Sequence, residues 1–217
     1  MQDRTYLKQK YRKISVALIS NLLILGAMAA FMRPSFETND DIVFAELGSG
    51  LRGVKDAHLV FQNYGLGMIY RLLYGVTGRL PWYTIVQYMI LFAAFTVVTY
   101  VLISRLGEIS GLCLFVILAC GFGYEGYIHL QFTKTAGIAA AAAVFLLLYL
   151  LEQEKYSWWG IAGGILLAVI AYMYREDQFW ASCGLMAGAG LLFLFDLRKY
   201  RNKKFRRLGI CVLTFGV

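Results

Sequence analysis

Long, unbroken blocks of apolar side chains decide what this chain can become. Ile14–Met32, Trp82–Ser104, Ile109–Tyr124, Thr135–Leu151, Trp158–Tyr174 and Phe179–Phe195 are apolar almost throughout. They show neither the alternation of a half-buried strand nor the stripe of a surface helix. Each is close to the roughly 20 residues that a helix needs to cross about 30 Å of hydrocarbon. Inside lipid the backbone amides have no water to bond, so helices are the solution open to such segments when no barrel-like alternation is present. With 59% apolar residues and a mean hydropathy of +0.61, the chain lies outside the range of ordinary soluble domains. The sequence therefore predicts an all-α fold, a polytopic transmembrane helix bundle of six complete spans. A seventh span begins near Leu208 and is cut at Val217. The expectation is a single transmembrane domain over residues 1–217 that forms the N-terminal part of a longer protein.

Lys and Arg set the expected orientation. Arg4, Lys8, Lys10, Arg12 and Lys13 precede the first span and place the N-terminus in the cytoplasm. Alternation then puts Arg105, Lys155 and the cluster Arg198, Lys199, Arg201, Lys203, Lys204, Arg206 and Arg207 on the same side. The net charge of +8 is thus a topology signal with affinity for anionic lipid. Membrane lipids are expected partners, and nucleic acid is not, because no folded basic surface is visible. Counting residues 58–78 as a further span would send the basic cluster to the wrong side. That segment also carries His58, Gln62, Asn63 and Arg71, and reads as an amphipathic helix lying on the outer surface. Ala27-Met28-Ala29 fits a signal-peptidase site, but the length of the first apolar run and the spans after it favour an uncleaved signal anchor.

Residues 33–81 form the one sizeable non-spanning region, an outer loop with two surface helices. The first presents Ile42, Val43, Phe44, Leu47 and Leu51, and the second, Leu59 to Tyr74, presents Phe61, Leu66, Ile69, Leu72 and Leu73. Pro81-Trp82-Tyr83 opens the next crossing with aromatic rings at headgroup level. Ala139–Ala143 and the pairs Gly160/Gly164 and Gly184/Gly188 favour close helix packing. Cys113, Cys120, Cys183 and Cys211 fall in apolar spans and read as small buried residues without ligand spacing.

Polar groups collect at the outer helix ends. The first loop supplies Glu37, Asn39, Asp40, Asp41, Glu46, His58, Gln62 and Asn63; the third-to-fourth turn supplies Glu125, His129, Gln131 and Lys134; the fifth-to-sixth turn supplies Arg175, Glu176, Asp177 and Gln178. Together they would build one polar site if the turns converge. Thr38 and Asp41 have capping-box spacing, and acidic residues suit a helix N-terminus. The same geometry suits a general base toward a hydroxyl, or a ligand for a divalent cation. His58, His129 and Glu125 lack metal-ligand spacing. Lys134 reads either as an interfacial lysine or as a phosphate contact, and Arg175-Glu176-Asp177 as an ion-paired helix end or a phosphate and acceptor site.

The order of these parts resembles the GT-C class of membrane glycosyltransferases over about residues 14–196. A single N-terminal span, an acidic pair Asp40-Asp41 in a long outer loop, two surface helices and an aromatic start to the second span carry the likeness. The stretch from Asp56-Ala57-His58-Leu59 to Leu72-Leu73-Tyr74-Gly75 is similar to the second surface helix of bacterial members, without the prolines common there. Gln131-Phe132-Thr133-Lys134-Thr135-Ala136 and Tyr174-Arg175-Glu176-Asp177 look like outer helix ends of bacterial relatives. The resemblance implies a bacterial plasma-membrane enzyme that moves a sugar from a polyprenyl-phosphate donor to an acceptor on the outer face. It further implies Asp40 or Asp41 as catalytic base or metal ligand, Glu125 as a second acid, and Lys134 or Arg175 on the phosphate, with His58, Asn63 and Asp177 lining the substrate site. A divalent metal cation is the cofactor to be tested. Two other classes compete: a transporter or lipid-carrier flippase, which the nearly charge-free span centres and the lack of a repeat disfavour, and a non-catalytic scaffold in which the acidic pair only caps a helix.

Overall fold

The computed structural model describes residues 2–51, 53–153 and 157–197, with side chains from residue 8 to residue 186. The start of the seventh span, the basic cluster from Arg198, Lys155 and Cys211 lie outside the described residues. Within them the apolar blocks are helices, and four, within Lys8–Phe31, Trp82–Leu106, Glu108–Tyr127 and Phe132–Glu152, are long and apolar enough to cross a membrane. These correspond to α1 (Gln2–Phe31), α4 (Trp82–Leu106), the composite of α5 (Glu108–Leu118) with a π-helical turn (Ala119–Gly123) and α6 (Tyr124–Tyr127), and α7 (Phe132–Glu152). Next, α8 (Trp158–Tyr174) has 17 residues, about 26 Å at 1.5 Å per residue, just short of the hydrocarbon thickness. Finally, α9 (Glu176–Leu197) completes the described helices.

The alanine run explains the centre of the bundle. Ala139, Ala140, Ala142 and Ala143 are fully buried, so α7 packs with α4, α8 and α9 around it. Gly164 and Gly160 meet Leu147 and Leu150 of α7, as their spacing predicts, whereas the space beside Gly184 is open. Gly111 lies so close to the backbone of Ile103 that a Cβ would come within 2.6 Å of its nitrogen. That approach folds α5 back along α4 after Gly107, whose φ of +86° is natural only to glycine. Cys113 and Cys120 are exposed on the helix surface and Cys183 is half-buried, so the expectation of buried cysteines fails for these three.

Two ends of the bundle are clearly defined. At one, Arg12 pairs with Glu108 (2.6 Å), Lys10 donates to Ser157 (3.0 Å) and Arg105 pairs with Glu152. At the other, which we call the loop end, β1 (Ser35–Phe36) pairs in parallel with β2 (His129–Leu130). This two-residue bridge is a small extended contact within an all-helical fold. It arises because loop amides entering the bundle need partners, and Ser35 and Glu37 find them in the carbonyls of Ile128 and Leu130.

The first loop does not lie loose on the surface. It holds α2 (Asn39–Ser49) and α3 (Tyr64–Val76), so the second helix starts five residues later than expected from Leu59. Residues 59–63 form a turn instead, in which Phe61 has a φ of +71°. At 13 residues, α3 is about 20 Å long and too short to thread a bilayer. Its Leu66, Tyr70 and Tyr74, one helical turn apart, enter the same core as Phe44 of α2, Tyr83 of α4, Ala136 of α7 and Tyr174 of α8. Ile69 and Leu72 stay exposed, as do Ile42 and Leu51. Gly67 makes this docking possible, because a Cβ there would lie 1.9 Å from the Ala57 carbonyl oxygen. Replacing Gly67 by Ala is therefore expected to destabilise the loop by about 1–3 kcal/mol through overpacking. Gly75 in the same helix faces open space, and Gly75→Ala should be neutral or stabilising by about 0.5–1 kcal/mol. Thermal unfolding of the two variants in detergent checks the pair.

Candidate functional site

The acidic pair splits into two residues with opposite surroundings. Asp41 is fully buried, while Asp40 is exposed and makes no described side-chain contact. Helical geometry produces the split, since successive residues point about 100° apart. Asp41 faces the bundle and Asp40 faces out.

Four donors hold the Asp41 carboxylate. Tyr83 Oη (2.8 Å) and Gln87 Nε2 (3.2 Å) of α4 and the backbone N–H of Phe132 (3.1 Å) donate to Oδ1; the Thr38 hydroxyl donates to Oδ2 at 2.8 Å. Thr38 does occupy the N-cap of α2, but its hydroxyl makes no capping bond. The expected capping box is thus replaced by a side-chain bond to Asp41. The network extends outward: Gln62 donates to Tyr83 Oη, Tyr74 Oη accepts from the Tyr83 N–H, and Thr135 donates to Gln87 Oε1. Tyr70 and Tyr174 share a 2.7 Å hydroxyl–hydroxyl bond beside it. Burial pushes the Asp41 carboxyl above its ordinary value, opposed by the hydrogen bonds from Tyr83, Thr38, Gln87 and Phe132.

A second cluster joins the first loop, α6 and α7 through charge. Lys134, at the start of α7, bridges Glu37 of the first loop and Glu125 of α6. Its positive charge is therefore already engaged, which leaves it poorly placed for the phosphate role expected of it. Arg175, at the α8–α9 turn, is different. Its Nη1 donates to Thr133 Oγ1 at 2.8 Å, and its guanidinium lies 5.2 Å from the Phe61 ring centroid and 5.4 Å from that of Phe132. Among the described residues it has no carboxylate partner. Phe61 and Phe132 stack nearly parallel. The left-handed backbone of Phe61, unfavourable for a bulky residue by about 1–2 kcal/mol, is what brings its ring to this arginine.

The turns thus converge as the sequence reading required, but not every expected residue joins. His58 binds Asp56 through both its backbone N–H (2.9 Å) and Nδ1 (2.8 Å), and packs at a tilt against Tyr64 in an exposed position. These bonds, foremost that from the backbone, hold the Asp56 carboxyl below its ordinary value. Asn63 is the N-cap of α3, accepting from Gly65 N–H, while its own N–H donates to the Met173 carbonyl. Asp177 is exposed, and His129 bonds Tyr124 Oη at 2.9 Å. A metal fits poorly: among the described residues no three His, Cys, Asp or Glu side chains come together. The Lys134 ammonium also stands between the two glutamates that might have held a cation.

Sequence reasoning missed Tyr83, Gln87, Thr135, Thr133 and Phe61. For two of them a signal existed. Tyr83 and Gln87 are one turn apart in an apolar span, and a buried amide in such a span calls for a partner. The same holds for Asn21 of α1, which bonds Thr96, the Phe92 carbonyl and Tyr127 Oη. Comparison with family models, curated proteins and solved structures finds no match to this chain.

The network makes a graded prediction. An Asn at position 41 keeps an oxygen for Tyr83, Gln87 and Phe132, and the Thr38 hydroxyl can turn to accept from the new amide. Asp41→Asn is therefore expected to fold within about 1 kcal/mol of the parent, whereas Asp41→Ala orphans several buried donors at about 1–3 kcal/mol each. The parent should also lose stability relative to Asp41→Asn as pH rises from near 3.8 to the raised folded value. In that window the folded protein holds a proton that the unfolded chain has released. Thermal unfolding of the three proteins across acidic pH reads both effects.

Proposed function

We propose that this chain is a GT-C-like glycosyltransferase that uses a polyprenyl-phosphate sugar at the outer face of a bacterial plasma membrane. In this reading α8 and α9 complete six spans, and the basic N-terminus is cytoplasmic. One observation carries the proposal: an exposed Asp40 stands beside a buried, fourfold-bonded Asp41, at the bundle end where Arg175, without a carboxylate partner among the described residues, also lies.

The roles follow from those surroundings. Asp40 has the open carboxylate a general base needs, and Asp41 positions the helix that bears it. An acceptor hydroxyl gives its proton to Asp40 while its oxygen bonds the anomeric carbon of the donor sugar. The anomeric carbon–oxygen bond to phosphate breaks, and the lipid phosphate leaves with that electron pair. Arg175, half-buried on two aromatic faces and without a carboxylate among the described residues, meets the growing negative charge. Lys134 organises Glu37 and Glu125 instead of binding phosphate.

Asp40→Asn in the full-length protein is expected to lower sugar transfer by about 10²–10⁴ without lowering the unfolding temperature. Arg175→Gln should cost about 10² in rate. Transfer measured with a polyprenyl-phosphate sugar donor tests both, and full activity in both variants rejects the assignment. Substrate movement across vesicles with no transfer product would replace it with the transporter reading. Tolerance of Asp40→Asn, coupled with loss of a partner on membrane extraction, would replace it with the scaffold.

A further inference from the structure

On the flank of the bundle, away from the loop end, a groove of about 600 Å³ runs between α1, α4, α7 and α8. That size is within the range of ligand sites. Its walls are apolar side chains such as Met89 and Val97 of α4, Leu146 of α7 and Leu167 and Ile170 of α8. From Ser157 to Ile170 the groove follows α8 for about 20 Å, slightly more than one leaflet of hydrocarbon.

The ends of the groove differ. Lys10 is its one charged lining residue, and it stands with Ser157 and Gln153 at the end opposite the loops. The Lys10 ammonium donates to Ser157 Oγ at 3.0 Å and has no carboxylate partner among the described residues. Beside it Trp158 and Trp159 are 74% and 90% exposed, as rings at headgroup level would be. A cation and a hydroxyl at the mouth of a leaflet-length apolar channel match a lipid whose phosphate sits at that interface.

We propose that this groove binds one anionic phospholipid from the leaflet at the N-terminal end of the bundle. Its phosphate lies against Lys10 and Ser157, and one acyl chain runs along the α4 and α8 walls. Basic pockets between spans are a recognised site for anionic headgroups. The site is remote from Asp40 and Arg175 and does not depend on the transferase reading. It predicts a structural lipid that fills the gap between α1 and α8.

Native mass spectrometry of the full chain in detergent micelles doped with phosphatidylglycerol or with phosphatidylcholine of the same chains tests this. The expected result is a single retained lipid, with phosphatidylglycerol preferred about fivefold, one lysine's worth of surface attraction. Lys10→Gln should abolish the preference and leave a weaker adduct. Gly163 lines the groove with open space where its Cβ would stand, so Gly163→Leu should fill the channel and remove the adduct of both lipids. Ala93→Leu, from the opposite wall, should do the same if Gly163→Leu fails to fold. Equal retention of the two lipids by the parent protein overturns the proposal. So does an adduct that survives the filling substitutions, or a groove covered by a second copy, seen as a dimer that Gly163→Leu dissociates.

Discussion

A single buried carboxylate organises the loop end of this protein. Asp41 of α2 gathers hydrogen bonds from Thr38, from two α4 side chains and from the first amide of α7. Those groups belong to three segments far apart in sequence. A carboxylate is well suited to the task, since it accepts about four hydrogen bonds and so satisfies donors that would otherwise be buried without partners. The placement of Asp40 depends on this attachment, because α2 carries it and its orientation follows from the inward face of its neighbour.

Two further contacts fix the same junction by different physics. The β1–β2 bridge ties the chain leaving α1 to the chain entering α7 through backbone amides. The Glu37–Lys134–Glu125 bridge adds charge at half-exposed positions, where solvent screens it and its contribution is modest. Arg175 stands out against this background. A guanidinium packed on Phe61 and Phe132, with a hydroxyl as its one described hydrogen-bond partner, is oriented and has no carboxylate partner among the described residues. The Phe61 backbone is strained where its ring meets that cation, and strain of this kind concentrates at sites that bind or react.

The helices were legible because a bilayer leaves so few options: each apolar block became a helix, and Trp158–Tyr174 begins and ends where the sequence put it. Polarity alone left open whether the turns meet; the contacts of Lys134 with Glu37 and Glu125, and of Arg175 with Thr133, bring them together. What escaped was orientation at single residues. Asp40 and Asp41 are the same amino acid in adjacent positions, so only the helix phase against α4 separates them, and that phase is set by Tyr83 and Gln87. The pairing of Lys134 with Glu37 joins residues nearly a hundred positions apart, which no local pattern encodes. The left-handed turn at Phe61 and the π-helical turn at Ala119–Gly123 have no local signal in the sequence. The cysteines misled for a related reason: in lipid an apolar residue can be stable on the outside of the bundle.

Hydrogen exchange over residues 39–63, followed by mass spectrometry in the intact protein and in Asp41→Ala, tests the central claim most directly. If one carboxylate docks the loop, the parent segment is protected like the ends of α4 and α7, and Asp41→Ala releases it while α7 and α8 keep their protection. Free exchange of the loop in the parent, or unchanged protection after the carboxylate is removed, would contradict the account.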